Sequence, residues 1–246
     1  MQPPLYKGES ARYTANMTST PMLRIRQAVL VAHDRDAVIK ALRAELPLRD
    51  PFNDPEVDQF GVHNAVMALG DTFVEVISPV EEGTAAGRHL KRLGGDGGYM
   101  LMFQVDDIEA ARARIQRLGI RVVYELDREG DTDIHLHPAD VPGAIVALDK
   151  MAQPASWRWA GPEWIAKAPA ETGSVRVTGA TLTAREPAAL ASAWAAILGA
   201  EAHGDRIALD NGELRFVAGE RDGISAFHVE GLGAETSIGG VRFVPA

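Results

Sequence analysis

The chain has 246 residues, of which 46% are hydrophobic and 24% charged, with a net charge of -9 and no cysteine. That length admits one large domain or two small ones, and the balance is that of an ordinary soluble globular protein. The negative charge argues against nucleic-acid backbones and anionic membranes as partners, and the lack of cysteine excludes thiolate metal sites, thiol nucleophiles and disulfides.

Residues 1–22, rich in Pro, Ser and Thr, read as a loosely held arm with no apolar run of signal-peptide length. Later apolar runs such as "AVLVA" and "YMLMF" are strand-length, so a cytoplasmic protein is expected. From residue 23 one pattern recurs: an alternating strand, an acidic cap, an amphipathic helix, then a Leu-Gly or Leu-Pro stop. Its first copy places Asp34 at the helix N-cap and Val38, Ile39, Leu42 and Leu46 on one helix face. Next come "GVHNAVMAL" and "TFVEVIS", joined by the two-residue turn Gly70-Asp71 as a hairpin. The second copy, "YMLMFQVDDIEAARARIQRLGI", is capped by Asp106 or Asp107, carries Ile108, Ala111, Ile115 and Leu118 as its stripe, and stops at Gly119. Short strands in "RVVYEL" and "DIHLHPADVPGAIVALD" follow it.

Residues 151–173 break the pattern with prolines and read as a linker. Trp157, Trp159 and Trp164 are expected to cover apolar surface where two domains meet. A third copy has Pro187 near the first helical position and Gly199 at the stop, and a fourth, "ISAFHVEG", has a strand and no helix. The expected organisation is an arm at 1–22, a complete two-module domain at 23–150, the linker, and a truncated second domain at 174–246.

Three local features bear on chemistry. "GGDGG" at 94–98 follows a helix and precedes a strand, the wrong order for a phosphate-cradling loop. "HLH" sets His135 and His137 on one strand face, which a metal site could use. His137 precedes Pro138 and reads as a turn former, and alternation suggests that this face is not the one bearing positions 145 and 147. Within the apolar strand "DTFVEVISP" stands a single acid, Glu75.

Tandem βαβββ units of this size resemble the vicinal oxygen chelate superfamily. The likeness is nearest to its methylmalonyl-CoA epimerase and glyoxalase-like branch, through "VEVISPV", "VDDIEAARARIQRLGI" and "HPADVPGAIVAL". The resemblance implies an α+β fold in which modules pair into open, cup-shaped mixed or antiparallel sheets with helices outside. It also implies four metal-ligand positions, which fall on Gln27, Glu75, Tyr99 or Met100, and Ala147. The matching positions of the second half are Gly179, Arg215, about Ile224 and about Val244, so that half is expected to be structural or to form a homodimer. With two of four ligands lost, no cofactor is expected. The remaining metal alternative is a divalent ion on Gln27, Glu75 and His135.

A metal-free cup is an apolar pocket, lined by Val29, Val31, Phe73, Ile77, Leu101 or Met102, and Ile145. Desolvation there would raise the pKa of Glu75 and suit it to act as a general base. Tyr99 could donate to a developing oxyanion and Gln27 to a substrate carbonyl, with Val29, Asn64, Phe73, Met100, Met102 and Ala147 completing the substrate contacts. The expected activity is a metal-independent isomerase, epimerase or lyase reaction beside the carbonyl of a small metabolite. The alternatives are a protein that sequesters a small molecule unchanged, and a metal enzyme with atypical ligands. Alternation lets only one of Tyr99 and Met100 face the cup: Tyr99 favours catalysis, Met100 favours binding alone.

Overall fold

The computed structural model describes residues 22–165 and 173–246; nearly all of the expected arm and part of the linker lie outside them. The first half runs β1 (Leu23–Val31), α1 (Arg35–Glu45), β2 (Val62–Leu69), β3 (Thr72–Pro79), α2 (Ala85–Leu93), β4 (Gly97–Val105), α3 (Ile108–Arg117), β5 (Val122–Arg128), β6 (Asp131–Leu136) and β7 (Ile145–Lys150). Its seven strands lie in the order β2-β3-β1-β4-β7-β6-β5. β1 pairs parallel with β3 and β4 parallel with β7, while β1 and β4 meet antiparallel at the centre. The two modules are thus related by a pseudo-twofold between β1 and β4. The caps are the ones the sequence marks: Asp34 accepts from the Ala37 N–H, and Asp107 accepts from the Ala110 N–H.

The second half runs β8 (Arg176–Ala184), α4 (Pro187–Leu198), β9 (Ala202–His203), β10 (Arg206–Leu209), β11 (Gly212–Ala218), β12 (Gly223–Glu230), β13 (Thr236–Ile238) and β14 (Val241–Pro245). These strands form a second seven-stranded sheet, and no helix separates β12 from β13. The two sheets share one apolar core. Leu30, Val76 and Phe103 from the first meet Leu182, Phe216 and Phe227 from the second, and α1, α3 and α4 add Leu42, Ile115 and Trp194. The approach is close at Gly98, where a Cβ would lie 2.5 Å from the Cβ of Ile224.

The opposite face of the first sheet forms the cup, and two bulges shape it. Along β1 and β4 the register steps from Ile25↔Phe103 to Gln27↔Met102, leaving Arg26 over, and from Val29↔Met100 to Leu30↔Gly98, leaving Tyr99 over. A bulge interrupts strict alternation, so neighbouring residues can face the same way.

Residues 151–165 then fold back into the cup as a plug. Trp157 stacks on Phe73 at 6.0 Å and Trp164 meets that ring edge-on at 4.7 Å. The buried guanidinium of Arg26 lies over Phe73 and Trp157, and donates to the carbonyls of Pro154 at 3.2 Å and Ala155 at 3.0 Å. The indoles therefore cover the first cup and not the meeting of two domains. The physical reason is polar: the N–H groups of Trp157 and Trp159 find acceptors on Gln27 and Asp149, whereas the two sheets meet through apolar faces.

Candidate functional site

The plug leaves a cavity of about 420 Å³ in the cup. Val29, Val66, Ile77, Met100, Met102 and Ile145 give it apolar walls, and among its polar lining groups are Glu75, Gln27, Asn64, Tyr99, Arg88, Asp133 and His135. A volume of this order suits a small ligand or the reacting end of a larger one.

Glu75 projects from β3 and is 7% exposed. Gln27 Nε2 donates to its Oε2 at 2.7 Å, and Asn64 Nδ2 donates to its Oε1 at 2.7 Å. The orientation of both carboxamides is enforced from behind. Trp157 Nε1, a donor only, donates to Gln27 Oε1 at 2.6 Å, and the Asp54 backbone N–H donates to Asn64 Oδ1 at 2.8 Å. Each amide oxygen is thereby occupied, and each NH2 group is turned onto the carboxylate. Among the described residues Glu75 makes no ion pair. Burial pushes its pKa up, the donors Asn64 and Gln27 pull it back, nearby Asp54 raises it further and His135 opposes that.

Tyr99 and Met100 both line the cavity. The choice between them that alternation imposes does not arise, because the bulge in β4 brings both to the same face. Burial and the neighbouring Glu75 push the Tyr99 hydroxyl up to about 12, so it stays a proton donor across the neutral range. Leu101 belongs to the shared core behind the sheet, so the pocket wall is Met102.

Two expected substrate contacts are buried away from the cavity. Phe73 is 0% exposed beneath Trp157 and Trp164, and Ala147 is likewise fully buried without lining the space. Val31 also lies off the cavity. The plug is the cause for Phe73, and it was invisible while 151–173 read as a linker. His135 differs from expectation in the other direction. It pairs directly with Ala147 across β6 and β7, and directly opposed residues share a face, so His135 is on the cup side with Ile145. The parity between those strands depends on the loop at 137–144, where His137 accepts from the Ala139 N–H in the turn. Sequence reasoning missed Arg88, Asp54, Asp133 and Trp159; an arginine one turn into a helix and an aspartate in the mixed strand "DTDIHL" carry no signal of their own.

The positions to which the resemblance assigns a divalent ion do not fit one. Gln27 Oε1 is taken by Trp157, both Glu75 oxygens accept amide N–H groups, and Met100 and Ala147 offer a thioether and a methyl. Hard or borderline divalent ions need several oxygen or imidazole donors.

A model of a family described as "Glyoxalase-like domain" matches residues 28–198. The chain is 26% identical over 132 residues to an ethylmalonyl-CoA/methylmalonyl-CoA epimerase of Cereibacter sphaeroides, covering 52% of this chain and 98% of that one. It is 27% identical over 95 residues to a mitochondrial methylmalonyl-CoA epimerase of Bos taurus, covering 37% of this chain and 54% of the other. A crystal structure of a hypothetical protein from Staphylococcus aureus aligns with 92% of this chain and 100% of its own at a TM-score of 0.64 and 12% identity, a likeness of fold across both sheets.

Proposed function

This chain belongs to the glyoxalase-like domain family, and from that premise we propose that it moves a proton at the carbon beside a carbonyl, without a metal, with Glu75 as the base. The observation that carries the reading is the state of Glu75: a buried carboxylate on a cavity wall, gripped by two neutral amides and paired with no cation among the described residues. Such a group has a raised pKa yet is held in one orientation, which is what abstraction of a weakly acidic C–H proton requires. As the C–H bond breaks, charge develops on the substrate oxygen. Tyr99, on the same cavity surface, supplies a neutral hydroxyl to receive it. Gln27 and Asn64 act as positioning residues, their amides engaged by Glu75 instead of by substrate. Arg88 offers a guanidinium in the cavity lining for an anionic substituent. The epimerases to which the chain is similar by sequence favour an acyl thioester as substrate class.

The test is hydrogen exchange. Incubated with methylmalonyl-CoA in D2O, the protein is expected to place deuterium at C2 at a rate that EDTA does not change. A thioester recovered with its C2 hydrogen intact would identify a binding protein. Stoichiometric metal whose removal stops exchange would overturn the metal-independent reading.

The pH profile gives a second prediction. The Asn64 N–H favours the charged form of Glu75, so Asn64→Ala raises the Glu75 pKa further. Because the base acts only when deprotonated, the acid limb of kcat/KM moves to higher pH in this variant. An unmoved limb, or one moved to lower pH, would assign the limb to another group.

A further inference from the structure

Facing Glu75 is a group of ionisable side chains that the reaction above leaves unused. β6 presents Asp133 and His135 on the cup face, and both line the same cavity. His135 Nε2 lies 2.8 Å from Asp133 Oδ2, so the carboxylate holds that side of the ring. Asp149, opposite Asp133 on β7, is fully buried and accepts from Trp159 Nε1 at 2.7 Å. Burial and the adjacent Asp133 hold Asp149 well above the usual carboxylate range.

Asp149 and Asp133 meet carboxyl to carboxyl, and Asp133 Oδ2 is left to the imidazole. The Tyr124 ring flanks the imidazole at 5.1 Å.

Glu75 on β3 and His135 on β6 are separated in the sheet by β1, β4 and β7. Curling of the sheet nevertheless brings them to one cavity. There each feels the other's charge, Glu75 favouring the proton on His135 and His135 favouring the carboxylate of Glu75.

Building on the proton-abstraction reading, we propose that His135, positioned by Asp133, is the second proton-transfer residue of this cavity, so that the reaction inverts the carbon beside the carbonyl. The C–H bond breaks toward Glu75 and its electron pair passes into the enolate. The Nδ1–H bond of His135, on the ring nitrogen turned away from Asp133, then breaks as the enolate pair forms a new C–H bond on the opposite face. Glu75 ends protonated and His135 neutral, the complementary form that runs the reverse direction with roles exchanged. Tyr124, His137, Asp54 and Glu56 are the other titratable groups on this wall of the cavity and the β2 side, and Asp133 is the one whose carboxylate pairs with the imidazole.

The experiment uses the full chain and one epimer of methylmalonyl-CoA in D2O. For His135→Gln, exchange at C2 is expected to continue through Glu75 with retention, while inversion falls by about a hundredfold. Without substrate, NMR titration of His135 is expected to show its pKa lowered both in Asp133→Asn and in Glu75→Gln, since each removes a negative charge that holds the proton. Inversion at the unaltered rate in His135→Gln overturns the proposal while leaving proton abstraction intact. A His135 titration indifferent to Glu75→Gln overturns it too, because the two groups would not share a cavity. An unaltered protein that neither exchanges nor inverts the thioester overturns both readings.

Discussion

Glu75→Gln is expected to lower exchange at C2 by about a thousandfold, in the range a general base contributes. The substitution is not a silent one for the fold. Trp157 fixes the Gln27 amide and the Asp54 N–H fixes the Asn64 amide, so both present NH2 groups to position 75. A glutamine there can satisfy only one of them with its oxygen, and its own NH2 faces the other. One unsatisfied buried donor costs about 1–3 kcal/mol, set against relief from burying a charge. Adding Asn64→Asp resolves the conflict. The carboxylate introduced at position 64 accepts from the Asp54 N–H and from the carboxamide introduced at position 75, whose own oxygen accepts from Gln27. The double variant is therefore expected to be more stable than Glu75→Gln in urea melts yet still slow, because its carboxylate has moved to the neighbouring strand. Full activity in either variant would remove Glu75 from the mechanism. A double variant no more stable than the single one would refute the donor matching.

Trp157→Ala is expected to cost about 3–5 kcal/mol, the range for deleting a fully buried tryptophan. In a chain of this size that lowers Tm by about 10 °C. The loss has three parts: the stack on Phe73, the cover over Arg26, and the N–H to Gln27. Trp157→Phe separates them, since it keeps the stacking and removes only the hydrogen bond. Without that donor the Gln27 amide can rotate and present oxygen to Glu75, which raises the carboxyl pKa. The phenylalanine variant is thus expected to retain most of the stability and shift the acid limb of kcat/KM upward. A Trp157→Phe protein with an unmoved limb would show that Gln27 is held by something else.

The repeat of strand, cap and helix was legible because each signal is local. Asp34 and Asp107 cap the helices they precede, and Gly70-Asp71 turns the β2–β3 hairpin. Glu75 and Asn64 were legible as cavity groups for a similar reason, since a two-residue turn fixes which residues of a hairpin face alike. What stayed hidden depends on register between distant strands. The Tyr99 bulge arises from how β1 and β4 slide past one another, and the face of His135 from how the loop at 137–144 resets β7 against β6. No residue near either position announces it. The plug was hidden in another way. Pro and Trp content describes a segment that is irregular and needs burial, but not where it goes. Arg26, Gln27 and Gln104 determine that, through hydrogen bonds that span 50 to 130 positions in sequence.

Residues 151–165 accordingly set where the chain can be divided. A fragment ending at Lys150 would leave Phe73 bare, the Arg26 guanidinium without its carbonyl acceptors, and the Gln27 amide free to turn away from Glu75. Cutting the polypeptide at the end of β7 would separate the Glu75 carboxylate from the part that aims its amide donor. For recombination, fusion or proteolytic dissection, residues 151–165 therefore belong with the first sheet.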